Sequence, residues 1–253
     1  MSDVRVVWLH ALARSGSSVA VYAAAAPWGH VVADEVMGPW DRTGDPYNYP
    51  PSQKDLVELF KAEGHALTPP VVELAGRVFA ELAGPSGVVI SKWPHLRPSP
   101  EEFDGAFPGR RSAYLIRNPL HRLNSLHKRG WTKAFGPMQD LDRYRQYAQW
   151  WETREHRATF DEFKTDPASF FRKLWEAWGF EHGEVELETA LAYCRENYHE
   201  SSLKKSERPE GGIYSEASFA LPREAIDLYL NDPYIADFMR ERGWSVDPAD
   251  YLG

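Results

Sequence analysis

Residues Val4–Val21 read VRVVWLHALARSGSSVAV, and the fold follows from how this stretch is parsed. Val4–His10 is short and almost wholly apolar, as for a strand covered on both faces. An Arg-Ser-Gly-Ser-Ser turn follows at Arg14–Ser18, and the Ala-rich segment Ser17–Ala26 then reads as a helix. Gly16 lets the backbone approach a ligand closely. The N–H groups opening the helix converge on the same point, aided by the helix dipole. Arg14 adds charge, and Ser15, Ser17 and Ser18 add hydroxyl donors. This is the outline of a phosphate-binding loop, yet the Gly-Lys-Ser/Thr that manages nucleotide phosphates with magnesium is missing. A serine-capped turn with no ligand accounts for the same residues, so the loop alone leaves the question open.

Reading outward, HVVADEV (His30–Val36) is a second short strand with two acids at its end. Residues 38–52, GPWDRTGDPYNYPPS, form a loop too long for a simple connector. SQKDLVELFKAEG is a helix with Ser52 as its N-cap and Gly64 at its close, and PPVVELAGRVFAELAG is a second amphipathic helix. GVVIS and SAYLIR are buried strands, and Asn118-Pro119 opens another helix. Met138–Arg154 and Pro167–Trp178 read as helices around a short strand, Ala158–Phe160. The C-terminal third is helical apart from KKSERPEGG at 204–212. Strands alternating with helices imply an α/β fold in three layers, with a parallel central sheet between helices. Neither a repeat nor a linker interrupts residues 1–253, which points to one domain.

Composition narrows the function. With 253 residues, 43% of them hydrophobic and ten Trp, the chain can build one large core. Its net charge of -8 argues against a general nucleic-acid or membrane-surface binder. The single cysteine, Cys194, excludes an internal disulfide framework and a Cys-based zinc site, and its helical setting suits buried packing. The histidines lack metal-ligand spacing. No Gly-x-Gly-x-x-Gly follows a strand, and Ser17 lies outside a Gly-x-Ser-x-Gly elbow. A basic-then-apolar leader and a run of transmembrane length are both missing, so a cytoplasmic enzyme is expected.

Against that acidic background one segment stands out. From Arg110 to Lys133 the basic residues are 110, 111, 117, 122, 128, 129 and 133, with no acid among them. A solvated face accounts for Arg110 and Arg111. It accounts poorly for Arg117, which directly follows the apolar YLI. Ser125, eight residues on, lies about two turns into the next helix, so a guanidinium and a hydroxyl can meet on one phosphate.

ARSGSSV and YLIRNPLHRLNSL together resemble the two nucleotide-binding signatures of the sulfotransferase family, which uses 3′-phosphoadenosine 5′-phosphosulfate. The family's 5′-phosphosulfate loop resembles Arg14–Ser18. Its 3′-phosphate motif, Arg-Asp/Asn-Pro with Ser eight positions after the Arg, is similar to Arg117, Asn118, Pro119 and Ser125. FDEFKTDPASFFRKLWEAWGF resembles a third family segment, and the order and spacing agree over roughly residues 4–180. The resemblance implies the P-loop-like sulfotransferase fold over 1–253, in a bacterial-type member acting on small molecules. It further implies the phosphosulfate donor, no required metal, and Arg14 neutralising charge on the bridging oxygen as the leaving group departs.

Such chemistry needs a base for the acceptor's proton. His95, in VVISKWPHL, resembles the family's Lys-to-His segment, with Lys92 as an auxiliary cation. Glu35 stands where some bacterial members carry a Glu, although Val36 replaces the Pro that often follows. The two are not separated by sequence; a loop histidine and a strand-end acid are the plain alternatives. In relatives an Arg-Lys-Gly-like loop closes over the nucleotide. Residues 200–215 occupy that place and offer Lys204, Lys205, Arg208, Gly211 and Gly212, in altered spacing. Residues 38–70 would form the acceptor side, with Trp40, Tyr47 and Tyr49 stacking on an acceptor or else pinning the loop. Trp131 and Phe135 are further aromatic candidates. A small-molecule hydroxyl or amine is the expected acceptor, with no nucleic acid or membrane partner, and a homodimer is left open. The rivals are a non-catalytic nucleotide-binding relative and a small-molecule kinase, the latter lacking its Gly-Lys-Ser/Thr.

Overall fold

The computed structural model describes residues 4–38, 49–197 and 218–252. Five strands run parallel in the order β2-β3-β1-β4-β5. They are β1 Arg5–Ala11, β2 Val31–Asp34, β3 Val88–Trp93, β4 Arg111–Ile116 and β5 Arg157–Thr159. The central strand β1 pairs with β3 on one side and β4 on the other, so the chain winds first one way and then the other from it. The loop leaving β1 therefore lies at the topological switch point, the usual ligand crevice of an open parallel sheet.

Strand parity decides which side chain meets which layer. Val7, Leu9 and Ala11 of β1, with Ile90, Ala113 and Leu115, face α1 (Ser17–Ala25), α8 (Pro167–Trp178) and α9 (Glu184–Asn197). Small residues Ala20, Ala23, Ala24 and Ala25 let α1 lie close to the sheet. Trp175 and Trp178 fasten α8 through indole N–H bonds to the carbonyls of Ala24 and Trp8. Cys194 is buried in this layer, and burial pushes its thiol up to about 12.

The opposite face carries two groups of helices. Trp8, Ala33, Val89 and Trp93 pack on α2 (Ser52–Ala62), α3 (Pro69–Ala83) and α4 (Pro100–Ala106). Tyr114 and Ile116 pack on α5 (Pro119–Lys128), α6 (Thr132–Glu152), α10 (Arg223–Leu230) and α11 (Pro233–Glu241). Among the described residues no helix is long and apolar enough to cross a membrane.

Several expectations change at the element ends. Ser52 is the first helical residue, not the cap: Pro51 takes that place and the Ser52 hydroxyl donates to Glu81 of α3. β2 stops at Asp34, leaving Glu35 in a turn at φ 56. α4 was not evident from its short sequence, yet Ser99 and Glu102 close a capping box at its start. Phe160, read as the end of a strand, instead opens α7 (Phe160–Thr165) behind a Thr159–Glu162 capping box. The helix expected from Met138 begins at Thr132 and breaks at Gly136, φ 70 and ψ 163. Arg110 is not on a solvated face: its side chain is 3% exposed, pairs with Asp104 at 2.9 Å and bonds to His10.

Candidate functional site

All five strands direct their C-terminal ends to one region, and β5 leads there into Phe160. β1 delivers Leu12–Gly16, β2 delivers Asp34 and Glu35, β3 delivers Lys92 and His95, and β4 delivers Arg117.

The loop after β1 is held in an unusual shape. Arg14 has φ 71 and Gly16 φ 85, both in the left-handed region. For Gly16 this conformation is joined by a steric demand, since an added Cβ would lie 2.1 Å from the Phe160 ring. Among the described residues no side chain caps α1, so its first N–H groups are presented at the loop. Ser15 is 1% exposed and, among the described residues, its hydroxyl has no hydrogen-bond partner, an orphan that a bound anion would satisfy. Ser17 is buried as the first residue of α1, and Ser18 follows it.

Arg117 reaches this loop from the end of β4. It is 8% exposed, its guanidinium donates to the Arg14 carbonyl at 3.2 Å, and it lies 4.8 Å from the centre of the Phe160 ring. Asn118 caps α5 by accepting from the N–H groups of Leu120 and His121, and Pro119 fits the first helical position. That start aims Ser125 back at the loop, where its hydroxyl accepts from Arg14 Nε at 2.9 Å. The structure therefore brings together Arg14, Arg117 and Ser125, with Arg14 turned toward Ser125.

On the other side of the loop the sheet register builds a second group. Asp34 and Lys92 stand directly opposite on β2 and β3, and Leu9 opposes Lys92 on β1, so the lysine projects on the α1 face. Its ammonium donates to Ser18 Oγ at 2.7 Å and pairs with Asp34 at 2.9 Å and Glu35 at 3.5 Å. Glu35 Oε2 lies 3.3 Å from His95 Nε2. The turn holding Glu35 is closed by the Gly38 N–H on the Glu35 carbonyl at 2.7 Å, and a Cβ at Gly38 would lie 2.8 Å from that oxygen. Ser18, Lys92, Glu35 and His95 are thus one connected chain of polar contacts. It can hold an anion at one end and move a proton at the other.

Other sequence candidates fare differently. Tyr49 is buried in the layer of α2 and α3, and its hydroxyl donates to the Asp34 carbonyl at 3.1 Å. It pins the loop end instead of offering a face to an acceptor. Trp131 is 46% exposed at the junction of α5 and α6, and among the described residues no hydrogen bond or ring contact joins it to the Glu35–His95 group. Trp40, Tyr47, Lys204, Lys205, Arg208, Gly211 and Gly212 lie outside the described residues, as does the side chain of Phe135. Sequence reading missed Asp34 as a partner of Lys92 and Phe160 as the wall behind Gly16. The adjacent acids of VVADEV were a signal for the first, but the register that selects Asp34 is not a local property.

The fold has solved counterparts. The sulfotransferase domain from the Synechococcus PCC 7002 olefin synthase superposes with a TM-score of 0.55 at 13% identity, covering 97% of this chain and 97% of its own. The mouse sulfotransferase SULT7A1, in complex with PAP, gives a TM-score of 0.53 at 11% identity, covering 94% and 88%. The chain thus has the three-layer parallel α/β fold of sulfotransferase domains. No family model matches the sequence, and no curated protein matches it.

Proposed function

We propose that this protein is a sulfotransferase, moving a sulfuryl group from 3′-phosphoadenosine 5′-phosphosulfate to a hydroxyl or amine of a small molecule. The observation that carries the reading is the Lys92 ammonium, which links the anion loop through Ser18 to the Glu35–His95 pair. Donor loop and proton acceptor are then neighbours, as direct displacement requires. The residues also fit the donor. The buried Ser15 hydroxyl has no partner among the described residues, the left-handed Gly16 leaves the loop open to close approach, and Arg14, Arg117 and Ser125 cluster beside it. A solved counterpart of this fold is a PAP complex.

When bound, the donor supplies an activated sulfuryl group whose sulfur–oxygen bond to phosphate breaks as the acceptor's oxygen or nitrogen attacks. The loop N–H groups with Ser15, Ser17 and Ser18 hold the 5′ end, and Arg117 with Ser125 holds the 3′-phosphate. Arg14 bridges the two and offsets charge on the departing oxygen. Lys92 adds a second cation on the sulfuryl side. His95 takes the acceptor's proton and Glu35 orients its ring. His95 is the more open of the pair, 30% exposed against 14%, and Glu35 is already engaged by Lys92. Lys204, Lys205, Arg208, Gly211 and Gly212 would close over the nucleotide. Trp40 and Tyr47 would line the acceptor side, and Trp131 remains a more distant candidate. Residues 1–253 act as one catalytic domain in the cytoplasm.

The test is incubation with the phosphosulfate donor and a mixed panel of phenols, alcohols and amines, read by mass spectrometry for sulfated product. Product from the wild type, reduced about a hundredfold or more in His95→Asn and in Glu35→Gln, is expected. Full product from both variants would refute the assignment of the base. A chain that binds the nucleotide but sulfates nothing would be the non-catalytic relative.

A further inference from the structure

Arg14 is a non-glycine residue at φ 71, and the carbonyls on both sides of its Cα are gripped by buried arginines. Arg117 donates to the Arg14 carbonyl at 3.2 Å, and Arg122 Nε donates to the Ala13 carbonyl at 2.9 Å. A left-handed backbone at such a residue persists only where its surroundings over-determine it. Arg117 has a ligand-facing reason to be there. Arg122 does not: its side chain is 3% exposed, and its two terminal nitrogens form a forked pair with Asp140 at 2.7 and 3.0 Å. Asp140 lies in α6 just beyond the break at Gly136 and also accepts from the Tyr229 hydroxyl of α10 at 2.7 Å. Burial is the largest influence on the Asp140 carboxyl and works to raise its pKa, but the Arg122 charge, the hydrogen bonds from Arg122 and Tyr229 and the Arg143 charge together hold it below the ordinary carboxylate range.

Resting on the sulfotransferase reading, we infer that Arg122, held by Asp140 and Tyr229, is a positioning residue for the donor loop. Its Nε fixes the Ala13 carbonyl, which holds Arg14 in the left-handed turn and sets the direction of the loop N–H groups. Arg122 touches no reacting atom. The network also ties the loop to α6 and α10, elements distant from it in sequence, so changes in those helices reach the donor through Ala13.

Removing one partner alone would strand a buried charge, so the informative variant replaces the whole network by apolar residues of similar size, Arg122→Met with Asp140→Leu and Tyr229→Phe. Such exchanges commonly keep or raise stability. The expected result is an unchanged or higher melting temperature with 3′-phosphoadenosine 5′-phosphate bound about tenfold more weakly. Faster amide exchange should be confined to a peptide covering residues 12–18. The donor KM should rise while the acceptor KM holds, a split that a purely structural role would not produce. Wild-type affinity and exchange in the folded triple variant would overturn the inference. Should that variant fail to fold, Tyr229→Phe alone decides: about a twofold to threefold loss of affinity supports the role and no loss refutes it. If the wild type itself ignores the bisphosphate, the sulfotransferase reading fails, whereas the loop-exchange comparison still judges Arg122.

Discussion

Arg14 Nε donates to the Ser125 hydroxyl at 2.9 Å, joining the loop after β1 to α5 across 111 residues of sequence. The bond makes the two halves of the proposed nucleotide site one unit. Arg14→Ala and Ser125→Ala should each weaken binding of 3′-phosphoadenosine 5′-phosphate by about tenfold. The double variant should lose less than the sum, with a coupling of about 0.5 to 3 kcal/mol in a calorimetric double-mutant cycle. Strict additivity would show that the two residues bind independently.

Gly16 faces two demands at once, a φ of 85 and a Phe160 ring where a Cβ would lie. Gly16→Ala should lower stability by about 1 to 3 kcal/mol in urea unfolding and abolish measurable bisphosphate binding. Gly29, at φ 61 with open space around it, is the control: Gly29→Ala should cost stability but leave binding intact.

His10 is wholly buried, and burial first, then Arg110 and Arg154, hold its pKa well below 6.5. Its Nε2 accepts from Arg110 at 2.9 Å, which requires the neutral ring. On unfolding the ring regains its ordinary affinity for a proton, so the unfolded chain binds more protons below pH 6.5. This contribution to stability is complete above that pH and falls by up to about 1.4 kcal/mol for each pH unit below it. His10→Gln keeps an acceptor for Arg110 and should flatten that part of the acid-side decline in denaturant titrations. An unaltered slope would place the decline in other groups.

Much of this architecture was legible because its signals are local. Buried strands announce themselves as short apolar runs, Asn118-Pro119 marks a helix start, and the eight-residue step from Arg117 to Ser125 survives folding as a shared position at the loop. What was not legible depends on distant pairing. Asp34 meets Lys92 because β2 lies beside β3, a partnership set by the whole sheet. Arg110 reads as a surface charge until α4 carries Asp104 over it. Arg122 looked like one more base in a basic run, and only the fold shows it turned inward on Asp140 and Ala13. Tyr49 was weighed as an acceptor aromatic or a pin for the loop, and the burial that decides for the pin comes from α2 and α3.

The most direct test of the donor site is calorimetric titration with 3′-phosphoadenosine 5′-phosphate, and separately with ATP and magnesium, on the wild type and on Arg117→Ala. Micromolar or tighter binding of the bisphosphate, unmatched by ATP and lost in Arg117→Ala, is the expected result. No binding of the bisphosphate, or a preference for ATP with magnesium, would contradict the sulfotransferase assignment and favour a kinase.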